Sequence, residues 1–202
     1  MTLASRRARR ARRARRPRRL ALLAGVAAAP LLLAGCSGLQ GTGDLQYVGG
    51  MGNVVEIPEA DRGEPVDLSG ESIQGEPLDL ADSRGEVTVV NVWWSGCGPC
   101  RSEMPMLVEA ADELDATFVG INTRDPGIGT AEAFEKEVGV TYPSFYDDTA
   151  APLLAFPAPY QPQSMPSTVV LDEEGRVGAL FSGEIPSALT LEQVVDGVRT
   201  DG

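Results

Sequence analysis

Cys97 and Cys100 stand three apart in the run Trp93-Trp94-Ser95-Gly96-Cys97-Gly98-Pro99-Cys100, directly after the apolar, β-branched stretch Val87 to Val92. At the first turn of a helix, two sulfurs with that spacing can close into a disulfide and open again. A bridge across so small a loop restricts the unfolded chain little, so redox chemistry accounts for the pair better than stabilisation does. The third and last cysteine, Cys36, lies upstream in an N-terminal targeting segment. With no second cysteine pair and no histidine in the chain, a closed cysteine–histidine zinc site lacks its ligands. The absence of histidine also removes histidine general bases and haem attachment of the Cys-x-x-Cys-His type. The residues point to no metal and no organic cofactor; the cysteine pair is itself the redox group.

The elements around the pair must hold Cys97 at or just before a helix N-terminus, where unpaired N–H groups and the macrodipole favour a thiolate. The pattern predicts that helix over Pro99 to Leu114, with proline allowed in its first turn and Pro105 kinking it. Cys100 then falls one turn in, placed to attack a mixed disulfide at Cys97. Val87 to Val92 reads as a strand buried on both faces, and Thr117 to Asn122 as a second. Ser72-Ile73 and Leu78 to Leu80 flank a hairpin turn at Gln74-Gly75. Thr130 caps a helix ending at Val138. Thr168 to Leu171 and Val177 to Phe181 bracket the turn Asp172-Glu173-Glu174-Gly175, and Thr190 opens a last helix with a capping-box pattern. Ala150 to Gln163, with four prolines, reads as a helical turn and loop whose apolar residues border the site or belong to the core. The expected architecture is a small α/β domain with a central mixed β-sheet flanked by helices.

Asn91-Val92-Trp93, the Cys97-Gly98-Pro99-Cys100-Arg101 run, Glu103 and Pro105 together resemble the active-site segment of thioredoxin-like proteins of the TlpA/ResA/CcmG type. Tyr142-Pro143-Ser144 and Met165-Pro166-Ser167-Thr168 resemble later segments of the same family. The resemblance covers residues 65–200 and is most specific over 91–105. It implies a thioredoxin-like fold and a membrane-anchored thiol–disulfide oxidoreductase acting outside the bacterial cytoplasm, several of whose relatives serve cytochrome c maturation. It further implies that Cys97 attacks a substrate disulfide and that Cys100 resolves it. Pro166, preceded by Met165, is implied to be cis and to face the cysteines, where proline tolerates the cis bond and leaves backbone groups open to an extended substrate. Trp94, Gly98, Pro99, Met165 and Pro166 are the expected substrate-binding residues. Glu103 matches an acidic residue near the cysteines. At i+3 from Cys100 it is either a proton acceptor for the resolving thiol or a solvated helix-face carboxylate. Asn91 stands where ordinary thioredoxin has a buried aspartate, which leaves Glu103 as the main candidate proton carrier. Arg101 reads as a surface cation and Trp93 as core. One departure stands out: the family's aromatic residue immediately before the first cysteine is Gly96 here, with Trp94 in a place that is usually small.

The 202 residues carry a formal charge of −12, unevenly spread. Ten arginines and no acid lie in residues 1–19, whereas from Cys36 onward 7 basic side chains face 29 acidic ones, a formal −22. Such a domain is repelled by nucleic acid and by anionic lipid, so nucleic acid is not an expected partner. The basic run Arg6 to Arg19 precedes an apolar stretch, Leu20 to Ala34, that is short for a membrane span and ends in Leu33-Ala34-Gly35-Cys36. That order resembles the bacterial lipobox. Residues 1–35 are thus expected to be a lipoprotein signal peptide, with Arg18-Arg19 also compatible with a twin-arginine route. Cys36 is the expected lipidation site, residues 36–64 a flexible tether with a short strand near Val54 to Ile57, and 65–202 the thioredoxin-like domain. The alternative is an ordinary secretory signal with an incidental cysteine. The expected location is the extracytoplasmic face of the cell membrane. The expected partners are a disulfide-containing protein substrate, such as apocytochrome c, and an upstream membrane thiol reductant.

Two rival readings are a thiol peroxidase, which wants a threonine where Trp94 stands, and a copper-binding chaperone using both thiols. The missing histidine weighs against the second.

Overall fold

The computed structural model describes residues 53–200; Cys36 and the expected signal peptide lie outside the described residues. In chain order the elements are β1 (Val54–Glu56), β2 (Ser69–Glu71), β3 (Pro77–Asp79), β4 (Thr88–Trp93), α1 (Gly98–Glu113), β5 (Thr117–Asn122), α2 (Ile128–Val138), β6 (Ser144–Tyr146), β7 (Ser167–Leu171), β8 (Val177–Ser182) and α3 (Ala188–Thr200). Six strands form one mixed sheet in the order β1-β8-β7-β4-β5-β6, and β2 and β3 pair as a separate hairpin. β4 runs parallel to β5 and antiparallel to β7, so it is central and every one of its residues is buried. This is the reason for its β-branched, apolar composition.

Side-chain alternation along β4 separates two cores. Val89 and Trp93 pack with Met104 and Leu107 of α1, Phe134 of α2 and Leu191, Val194 and Val198 of α3. Val90 and Val92 face the opposite side, where Val66, Leu68, Leu80, Phe145 and Phe156 cover the sheet. Asn91 shares the parity of Val89 and Trp93, so it points toward the helices.

Several boundaries differ from expectation. β1 pairs antiparallel with β8, and Val54 and Ile57 are buried. Arg62 is buried as well, bonded to the Ile57 carbonyl at 3.0 Å and to Asp172 at 3.3 Å. The folded domain therefore includes residues 53–64 ahead of Pro65, because β1 pairs the ladder groups that β8 would otherwise leave open at the edge of the sheet. The hairpin exists, but β2 ends at Glu71; Ser72 instead bridges to Phe145 of β6. Thr130 lies inside α2, whose cap is Gly127. At α3 the capping oxygen is that of Ser187, which accepts from the Thr190 N–H at 3.2 Å. Thr190 is three residues into the motif rather than its start. α1 runs through Pro105 without a break.

Candidate active site

Cys97 is the N-cap of α1. Its backbone is extended, and its Sγ accepts a hydrogen bond from the Cys100 N–H at 3.1 Å. The two cysteines are joined as a disulfide with Cα atoms 5.2 Å apart. The same N–H and the helix N-terminus would face a thiolate on Cys97 once the bridge opens. Cys97 keeps 6% of its surface exposed and Cys100 none, so an incoming disulfide meets Cys97 first. Gly98 and Pro99 form the exposed first residues of α1, with open space around the Gly98 Cα.

The sheet brings the second half of the site alongside. Val92 of β4 lies opposite Ser167 of β7. The end of β4 that leads to Cys97 thus adjoins the start of β7, which follows Pro166. The Met165–Pro166 peptide is cis, as the resemblance implied. Pro166 is buried, its carbonyl accepts from the Gly183 N–H at 2.9 Å, and half-buried Met165 packs against both cores. A second cis peptide, Ala158–Pro159, was not anticipated.

Glu103 is not on a solvated face: only 3% of it is exposed. Its Oε1 accepts from Asn91 Nδ2 at 3.1 Å and its Oε2 from the Ile185 N–H at 2.6 Å. Asn91 also donates to Thr168 Oγ1 at 3.1 Å, which links β4 to the strand that follows Pro166. Burial pushes the Glu103 carboxyl up to about 7; the Ile185 N–H opposes that rise, the charge of Glu184 adds to it, and the Asn91 bond opposes it. A carboxyl poised there can both take and give a proton near neutrality. The sequence placed Glu103 near Cys100 by helical spacing; the tie to Ile185, 82 residues away, carried no sequence signal.

Trp94 is half-buried against the helix-side core. An added Cβ at Gly96 would overlap its six-membered ring. The aromatic side chain three residues before Cys97 therefore lies over the position immediately before Cys97, and only glycine leaves it room. We expect Gly96→Ala to cost about 1–3 kcal/mol of stability through this overlap. In a Trp94→Ala background the cost should fall to a few tenths, as a double-mutant cycle by urea unfolding would read. An equal cost in both backgrounds would mean that the ring does not occupy this space.

One residue that sequence reasoning passed over, Asp125, completes the loop. Asp125, fully buried, accepts from the Ser95 N–H at 2.9 Å and from Ser95 Oγ at 2.5 Å. Its only sequence signal is an acid three residues after a buried strand, which is commonplace. Arg101 pairs with Glu137 at 2.9 Å and lies 4.7 Å over the Phe134 ring. It is the surface cation expected, with the added task of joining α1 to α2. Among the described residues, no group of three or more His, Cys, Asp or Glu side chains is arranged to hold a metal ion.

Comparison with known proteins gives concordant matches. Residues 58–196 match the family model described as Redoxin. The thiol-disulfide oxidoreductase ResA of Halalkalibacterium halodurans is 23% identical over 125 residues, covering 60% of this chain and 68% of that protein. The crystal structure of a DsbF homologue from Corynebacterium diphtheriae superposes with a TM-score of 0.64 at 36% identity, covering 78% of this chain and 99% of the other. That of a secreted thiol-disulfide isomerase from Corynebacterium glutamicum gives 0.61 at 35% identity, covering 73% and 93%.

Proposed function

The chain belongs to the Redoxin family and is a thiol-disulfide oxidoreductase of thioredoxin-like fold, and on that footing we propose that it reduces disulfides in secreted or membrane-associated proteins while lipid-anchored outside the cytoplasm. The observation that carries the reading is Cys97 as an exposed-edge helix cap bridged to a fully buried Cys100. In the proposed cycle the Cys97 thiolate attacks one sulfur of the substrate disulfide, and the other substrate sulfur leaves and takes up a proton. Cys100, deprotonated with the help of Glu103, then attacks Cys97. The Cys97–Cys100 bridge closes and the second substrate thiol is released. Two electrons pass to the substrate, and an upstream membrane thiol must return them. Trp94, Gly98, Pro99, Met165 and Pro166 are proposed to border the substrate. Apocytochrome c is a substrate of the right class by resemblance.

Direction follows from what stabilises the reduced form. The cap at Cys97 favours its thiolate, but the acidic chain opposes any large further gain, and Gly98-Pro99 adds no positive charge between the cysteines. We expect a midpoint nearer the about −270 mV of thioredoxin than the about −120 mV of a strong oxidant. Equilibration of residues 37–202 in dithiothreitol buffers reads it. A midpoint near the oxidant end would overturn the reductase assignment.

Anchoring rests on the order of arginines, apolar run and Leu33-Ala34-Gly35-Cys36. Mass spectrometry of the membrane fraction should find a mature chain that starts at an acylated Cys36. An unmodified mature chain released to the medium would instead support the simple secretory signal.

A further inference from the structure

Three residues, Trp94, Ser95 and Gly96, join the end of β4 to the helix cap Cys97. The polar groups of Ser95 are engaged on three sides. Its N–H and hydroxyl donate to the Asp125 carboxylate at 2.9 and 2.5 Å, and its carbonyl accepts from Arg101 Nη1 at 3.4 Å. The same carboxylate accepts from Asn122 Nδ2 at 2.8 Å. Asp125 is wholly buried, so these bonds offset the cost of taking its charge out of water. The segment around it is fixed in turn. The Thr123 N–H donates to the Trp93 carbonyl at 3.1 Å, and the Tyr146 hydroxyl donates to the Asp125 carbonyl at 3.3 Å. Arg124, just before Asp125, has φ of 69°, left-handed backbone that a non-glycine residue adopts at a cost of about 1 kcal/mol. A buried carboxylate set up at that cost, with two of its bonds going to one serine, holds that serine.

We infer that Asp125 is a positioning residue for the cysteine pair, acting through Ser95. The inference rests on the oxidoreductase reading above and adds a reason for Asp125. While the disulfide is closed, the covalent bond keeps Cys97 beside Cys100. When Cys97 carries a substrate, that bond is gone, and the Ser95–Asp125 contact keeps the cap in place so that Cys100 can reach the Cys97 sulfur in line. Alignment of this kind governs the effective concentration of the resolving thiol.

The test uses the reduced chain carrying Cys36→Ser, in which Cys97 and Cys100 are the only thiols, and the aromatic disulfide DTNB. Cys97 displaces one thionitrobenzoate and keeps the other as a mixed disulfide. Cys100 then displaces the second and closes the Cys97–Cys100 bridge. Each phase is followed at several pH values, which separates a changed thiolate fraction from changed alignment. Ser95→Ala should slow the second release about tenfold at every pH while the first changes by less than about threefold. Ser95→Thr, which keeps a hydroxyl, should restore it, and Asp125→Asn should slow it too. If Asp125→Asn fails to fold, the two Ser95 variants decide alone. A second release unchanged in Ser95→Ala despite a lower Tm, or no rescue by threonine, would reduce Asp125 to a purely structural residue and overturn the inference. Fewer than two thionitrobenzoates from the Cys36→Ser chain without further change would count against the oxidoreductase reading itself.

Discussion

Replacing Cys97 by serine should lower the rate of protein-disulfide reduction on the order of 10³-fold or more, since the attacking sulfur is lost outright. Replacing Cys100 should stop turnover at a different point. Cys100→Ser retains the nucleophile and accumulates a mixed disulfide with its substrate, because nothing remains to displace Cys97. The asymmetry follows from position. Cys97 caps the helix with its Sγ bonded to the Cys100 N–H and an edge exposed, whereas Cys100 is fully buried one turn in. At limiting iodoacetamide the reduced wild-type chain should alkylate first at Cys97. The same variant, Cys100→Ser, would capture partners from membranes and identify the substrate class. Preferential labelling of Cys100, or stable substrate adducts of Cys97→Ser, would reverse the two roles.

What could be read from the residues was whatever depends on nearby chain. The bounds of β5 match the sequence expectation, and those of β4 and α1 match within a residue, because a β-branched apolar run and a Gly-Pro start are local signals. The likeness to known active-site segments added the cis bond at Met165–Pro166, which no local pattern around a lone proline would have supplied. The misses lie where distant chain decides. The short strand expected near Val54 forms, but its pairing with β8 makes it part of the sheet rather than of a tether, and Ser72 leaves the hairpin because β6 is there to bridge. Ser187 and Thr190 are both acceptable caps by type, and only the backbone geometry chooses Ser187. The same holds in the site. The Glu103 carboxylate is gripped by Asn91 and Ile185, 12 and 82 residues away in the chain. Its burial could not be told from a solvated helix face by helical spacing alone. Trp94 and Gly96 were legible as a departure from the usual pattern, but only the overlap of the ring with a missing Cβ shows why the two belong together.

Burial of Glu103 should make the stability of the oxidised domain fall as pH rises through neutrality. The folded-state pKa of about 7 lies above the unfolded value of 4.5. Between those two pH values the folded chain holds a proton that the unfolded chain has released. The contribution is therefore fully present below pH 4.5 and is lost as pH rises through 7. A shift of that size corresponds to about 3 kcal/mol at full loss. Glu135, buried and also raised, moves stability in the same direction, so the wild-type profile alone would not isolate Glu103. The difference between wild type and Glu103→Gln does, since Glu135 and Glu184 remain in both. Glutamine keeps the shape and an acceptor for the Ile185 N–H but cannot ionise. Urea unfolding of the two oxidised proteins should give a stability difference that shifts by about 3 kcal/mol in favour of Glu103→Gln between pH 4.5 and 8.5. A pH-independent difference would mean that the carboxyl ionises as easily as in water, and its candidacy as the proton acceptor for Cys100 would lapse with it. If the shift is found, the same variant should flatten the pH dependence of thiol exchange around neutrality, because the group that changes state there is the one placed a turn from the resolving sulfur. Arg101→Gln, which removes a half-exposed cation paired with Glu137, should leave both profiles in place.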